Sequence, residues 1–232
     1  DGFYPVPIAD TCNAKAVGAG AGALTKGSLP TAGTTAMVKD IPFAFPNSAG
    51  GRDCIDVGAS LFHWRNRKGS FDALTTWMPP GVMEGGRIAL NVPNRAYSRL
   101  WVVAAAEDDP LKVPVVTVRF FRPYAGFPVD AAARIPALTG KSDSKGAKRL
   151  PVTLADGKKG SLWLVPIELD GQRIASEFRE EQFLSVELTK EIYPFRSYPD
   201  PCDYSYFPGG LPSSVKIYAM TLEEAPLRVL AS

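Results

Sequence analysis

Apolar and polar positions in this chain alternate in short bursts, and few stretches keep a helical period. Ile88, Leu90 and Val92 alternate with Ala89 and Asn91, the period of two expected of a half-buried strand. Residues 113–121 (VPVVTVRFF) are β-branched and aromatic and form the plainest strand in the sequence. Residues 100–106 (LWVVAAA) are apolar without a break, as expected of a strand covered on both faces, although period alone leaves a buried helical turn open. Further strands are expected over 161–169, 183–188, 215–222 and 227–231; in the third of these Val215, Ile217 and Ala219 alternate with Lys216, Tyr218 and Met220. Earlier, Ile41-Pro42-Phe43-Ala44-Phe45-Pro46-Asn47 is bracketed by prolines and suits an edge strand. Asp56 between Ile55 and Val57 continues the alternation.

The remainder is loop-like. Residues 14–23 (AKAVGAGAGA) have no periodicity, and Lys26-Gly27-Ser28 has the wrong order for a phosphate-cradling loop. Ala131-Ala132-Ala133-Arg134 reads as one helical turn, and 177–182 (EFREEQ) as a short helix. Residues 139–160 are polar and basic, with Lys141, Lys145, Lys148, Arg149, Lys158 and Lys159 and a turn pair at Asp156-Gly157, and read as an exposed loop. About eight to ten short strands with negligible helix favour one all-β domain over 1–232, a jelly-roll β-sandwich with long loops, rather than an α/β fold.

Composition sharpens this picture. The chain has 232 residues, with 45% hydrophobic and 22% charged, values of a globular protein and not of a disordered one. It holds 21 glycines and 21 prolines, about 18% together against roughly 12% in average usage, which suits many short elements joined by turns. A net charge of +2 lacks the concentrated basic surplus of a nucleic-acid binder, so no nucleic-acid partner is expected. No apolar run is long enough for a membrane span. The first residues lack a basic start, an apolar core and a cleavage pattern, so no signal peptide is expected.

Candidate chemistry is sparse. A single histidine, His63, removes the multi-histidine metal motifs. The acidic pairs Asp108-Asp109, Glu180-Glu181 and Glu223-Glu224 do not converge by spacing, since neighbours on a strand point to opposite faces. Aromatic loop residues are the better candidates, because a ring stacks on the apolar face of a sugar while hydroxyls bond around its edge. Trp64 and Trp77 flank the polar, basic stretch 65–76, and Tyr204 and Tyr206 lie in the aromatic loop YPDPCDYSYF at 198–207. His63 beside Trp64 is a polar partner, and Arg65 and Arg67 suit uronate carboxylates. Trp101 and Trp163 lie inside apolar runs and read as core. Asp53 and Asp56, with Asp200 and Asp203, sit near turns where oxygen ligands for a structural calcium can gather. Cys12, Cys54 and Cys202 have no metal-binding spacing; one disulfide with one thiol left over, or three reduced buried thiols, accounts for them equally.

Ile41-Pro42-Phe43, Asn47, Cys54-Ile55-Asp56-Val57-Gly58, the run 97–105 (YSRLWVVAA) and the run 115–121 (VVTVRFF) together resemble the galactose-binding-like jelly-roll domains attached to bacterial glycoside hydrolases and polysaccharide lyases. The likeness covers roughly residues 38–122 and rests on core positions. It implies a sandwich whose loop aromatics and polar groups bind sugar at one end, often near calcium, or a domain that braces a catalytic neighbour. The expected function is therefore a non-catalytic carbohydrate-binding or architectural module of a secreted carbohydrate-active protein, extracellular or periplasmic. Its partners would be a polysaccharide or oligosaccharide and a catalytic domain of the same polypeptide. A lyase or hydrolase on the same sandwich, with His63 or a tyrosine as base beside Arg65, and a purely structural interdomain module are the alternatives.

Overall fold

A computed structural model describes residues 2–19, 22–48, 50–56, 81–83, 87–93, 95–106, 114–121, 129–141, 144–169, 181–190 and 215–225. These residues are all-β, with one 3-10 turn at Ala9–Thr11. The strands are β1 (Phe3–Val6), β2 (Thr35–Val38), β3 (Ile41–Ala44), β4 (Ile55–Asp56), β5 (Gly81–Met83), β6 (Arg87–Pro93) and β7 (Tyr97–Ala106). They continue with β8 (Pro114–Phe121), β9 (Val129–Arg134), β10 (Lys148–Thr153), β11 (Lys159–Glu168), β12 (Glu181–Lys190) and β13 (Val215–Glu224).

The first sheet has the order β1-β13-β7-β11-β10, with β4 also on β13; the second has the order β5-β6-β12-β8-β9; β2 and β3 form a separate hairpin. All strand pairs are antiparallel. β1 and β4 share one edge of β13, β1 opposite Met220 to Glu223 and β4 opposite Lys216 and Ile217.

β7 shows why the apolar run is continuous. Every residue from Leu100 to Ala106 is buried, so both faces of the strand are covered. On one face Trp101 lies opposite Thr221, and the Thr221 hydroxyl donates to the Pro42 carbonyl at 2.6 Å. That contact lays the β2–β3 hairpin on this face, with Phe43 and Phe45 buried. On the other face Trp163 donates its indole N–H to the Ala137 carbonyl at 2.9 Å, just beyond β9, and β9 lies against β11. Leu90 and Val92 of the second sheet join the same continuous core as the first. Each fully buried Leu, Val or Ile contributes about 1.5–3 kcal/mol, and β7, β11 and β13 concentrate these residues.

β13 contains a bulge. Ile217 lies opposite Ala104 but Ala219 lies opposite Val103, so the two residues face opposite sides and Tyr218 is the extra residue. The simple alternation expected for 215–222 is broken there, and Tyr218, Met220 and Leu222 are buried as well.

Three expectations need correction. Ala131 to Arg134 is not a helical turn but part of β9, because its small residues pair with β8 in register. The segment 139–160 is only partly loop: Lys148–Thr153 is the edge strand β10, since Leu150 and Val152 supply an apolar alternation that pairs with β11. Glu181 and Gln182, the end of the expected helix 177–182, open β12, while the residues before them and the expected strand 227–231 lie outside the described residues. The Asp156-Gly157 turn is where the sequence placed it, with Gly157 at φ 81, a left-handed conformation that glycine adopts without steric cost.

The β2–β3 turn uses Lys39 at φ 50 and Asp40 at φ 69, the positive dihedrals of a tight hairpin turn that favours Asn-Gly. Asp40→Gly should therefore raise stability by about 0.5 kcal/mol; a thermal melt showing a lower midpoint would contradict this turn geometry.

Candidate functional site

The sequence-predicted sugar contacts His63, Trp64, Arg65, Arg67, Trp77, Tyr204 and Tyr206 lie outside the described residues, as does Cys202. The strands that carry their segments are described. The chain leaves β4 after Asp56 and enters β13 at Val215, and Asp56 is the direct partner of Lys216. Segments 57–80 and 191–214, remote in sequence, thus attach to neighbouring strand ends. Ala106, the last residue of β7, pairs with Val215 and bridges to Ala137, so the connections after β7 and β9 attach at this same end.

Asp53 and Asp56 are described, and both fasten the N-terminal segment. The Asp53 carboxylate accepts the Ala16 N–H on one oxygen and the Val17 N–H at 3.4 Å on the other. Asn13 acts as a surrogate strand partner for Asp56: its Nδ2 donates to the Asp56 carbonyl at 2.9 Å, and its Oδ1 accepts the Asp56 N–H at 2.7 Å. The Asn13 and Ala14 N–H groups both reach the Cys54 carbonyl at 3.2 Å. Calcium needs several converging oxygen ligands; both Asp53 oxygens accept backbone N–H groups, and Asp200 and Asp203 lie outside the described residues. Among the described residues no group of three or more His, Cys, Asp or Glu side chains could hold a metal.

Cys12 and Cys54 are buried free thiols beside this clasp. Burial first, and the neighbouring Asp53 charge second, push each thiol up to about 12. Burial also raises the Tyr218 phenol, with Cys54 next in effect. Thiolates are the reactive form, so burial keeps both thiols protonated and weakly nucleophilic at neutral pH.

A second polar constellation crosses the outer face of the first sheet, and sequence reasoning missed it. Arg99 pairs with Glu168 through Nε–Oε1 at 2.8 Å and Nη2–Oε2 at 3.2 Å. It also reaches Glu223 Oε2 at 3.3 Å. The Trp101 indole N–H donates to that same Glu223 oxygen at 2.7 Å. The Arg99 guanidinium sits 5.0 Å and the Lys148 ammonium 5.8 Å from the Trp101 ring centroid, within range of a cation–π attraction. Arg99 is the direct cross-strand neighbour of both Glu168 and Glu223; the only signal in the sequence is a charge at or near one end of each strand. Trp101 is 8% and Trp163 4% exposed, so both belong to the core as their apolar runs suggested. These hydrogen bonds tie β7, β11 and β13 together, and the Lys148 ammonium over the Trp101 ring adds β10.

The raised thiols set an alkaline dependence. A folded-state pKa near 12 against an ordinary 9.0 means that the unfolded chain loses these protons first. Stability is therefore fully present below about pH 9 and falls as pH rises toward 12. Denaturant titrations should show this decline, and Cys12→Ala/Cys54→Ala should make it shallower; an equally steep decline in the double variant would refute the assignment. No protein-family model matches the chain, and no curated relative matches it by sequence.

Proposed function

We propose that this chain is a non-catalytic jelly-roll module that works by packing and recognition. The observation that carries the reading is strand order. From β4 onward the chain runs first sheet, second (β5, β6), first (β7), second (β8, β9), first (β10, β11), second (β12), first (β13). Eight of these strands give the four-strand orders β4-β13-β7-β11 and β6-β12-β8-β9. This alternation supports the double Greek-key winding of a jelly roll, an architecture used for viral capsid subunits and lectins. In the architectural form the module packs against further copies of itself or against a neighbouring domain. Sedimentation and electron microscopy of the purified chain should then reveal regular, concentration-dependent oligomers or particles. A strict monomer at every concentration, with no affinity for a neighbouring domain of its own polypeptide, would remove this form.

The attachment of segments 57–80 and 191–214 to paired strand ends favours a second form, carbohydrate binding in an exported carbohydrate-active protein. Trp64, Trp77, Tyr204 and Tyr206 would stack on sugar rings, with His63, Arg65 and Arg67 as polar contacts. Titration calorimetry should detect neutral or uronate-bearing oligosaccharides, and Trp64→Ala or Tyr204→Ala should weaken binding by roughly tenfold each. Release of unsaturated uronate products by the purified chain would instead identify a lyase.

A further inference from the structure

Positive charge in this protein is unevenly placed. Residues 139–160 carry six Lys or Arg and two Asp, a larger surplus than the net +2 of the whole chain. The fold lays these cations along one edge. β10 is the outer strand of the first sheet, and from Lys148 to Thr153 it runs about 17 Å at roughly 3.4 Å per residue. Lys145, Lys148 and Arg149 lie at one end of that line, and Lys158 and Lys159 at the β10–β11 turn at the other. A remote segment adds to it: Leu24 bridges to Leu154, and the Thr25 N–H donates to the Thr153 carbonyl at 3.1 Å, which brings Lys26 to the same edge.

Lys26, Lys141, Lys145, Lys148, Arg149, Lys158 and Lys159 are all exposed. Among them Lys158 alone pairs with a described carboxylate, Asp156, at 2.9 Å. Arg149 Nε donates to the Ser161 hydroxyl at 2.6 Å, and Lys148 faces the Trp101 ring. Among the described residues the edge thus keeps most of its charge uncompensated. Pro151 has no N–H to give and cations stand at both ends of the strand, features that discourage strand addition. What the edge offers a partner is a row of cations.

We propose that the β10 edge binds a linear anionic polysaccharide, one bearing sulfate or uronate groups at repeated intervals. Lysines spaced along a strand meet such a polymer as point charges and release its counterions. Single-stranded nucleic acid calls for aromatic platforms on which bases stack; here Trp101 and Trp163 are turned into the core with their indole N–H groups engaged. This surface lies on the opposite side of β7 and β11 from the β4–β13 pair.

The test is fluorescence anisotropy of a labelled heparin oligosaccharide with the full chain at about 50 mM salt, then at rising salt. Binding that weakens steeply with salt is expected. The variant Lys26→Ala/Lys141→Ala/Lys145→Ala/Lys159→Ala should bind roughly tenfold or more weakly with an unchanged melting midpoint. Lys39→Ala, in the β2–β3 turn that packs toward β1 and β13, should bind as the parent does. No binding at low salt, undiminished binding by the four-lysine variant, or duplex DNA binding as tightly as heparin would each overturn the proposal. None of these outcomes bears on oligomer formation or on neutral-sugar binding through Trp64 and Tyr204.

Discussion

The pairing of β13 with β7 is the joint on which the molecule depends. Each is ten residues long, and their apolar side chains are buried on both faces of the sheet. Buried backbone N–H and C=O groups must find partners, so β13 needs a neighbour on each side. β7 supplies one side, and β1 and β4 together supply the other. Residues 3–6, 55–56, 97–106 and 215–224 must therefore meet before the core closes. Such long-range pairing gives the fold a high contact order and makes assembly slow relative to a helical domain of this size.

A strand covered on both faces also demands more than two layers' worth of chain. The second sheet covers one face, and the other would expose Val103, Ala105 and Ala219 without the N-terminal residues. This explains the clasp of Asn13, Asp53 and Asp56. A segment rich in Ala and Gly has little side-chain area with which to hold itself down, so polar contacts to β4 set its path. The buried thiols of Cys12 and Cys54 fill the space beneath and stay protonated because burial disfavours their charge.

Much of the strand content was legible because alternation and unbroken apolar runs report burial directly. β6, β7, β8, β11, β12 and β13 all fall on stretches that the pattern marks as strand. Legibility failed where side chains carry little signal. In β9, Ala131 to Ala133 have high helix propensity, yet their register with β8 decides the outcome. In β10, Lys148, Arg149 and Pro151 hide a strand whose apolar positions are only Leu150 and Val152. The same holds at the sites. The aromatic segments could be picked out by composition, but their attachment to paired strand ends follows from the Asp56–Lys216 register, which no local pattern encodes. The Arg99–Glu168–Glu223–Trp101 constellation was invisible for that reason too, since its members come from three strands.

The winding then limits where recognition can occur. Six of the nine connections from β4 onward change sheets, so the two sheets share one core, and the β2–β3 hairpin lies on the other face of the first sheet. In the first sheet, the described residues leave a partner the strand ends and the outer strands. Of the outer strands in the first sheet, β1 is only four residues long, with Phe3 exposed at its start, and β10 is flanked by cations at both ends. The positive surplus therefore sits on an outer strand that contributes little to the core. There each added lysine costs little stability, because an exposed, unpaired charge in water is only weakly coupled to folding. A charged edge of this kind resists pairing with other strands while remaining open to an extended anion, so the same residues protect the fold and supply a surface.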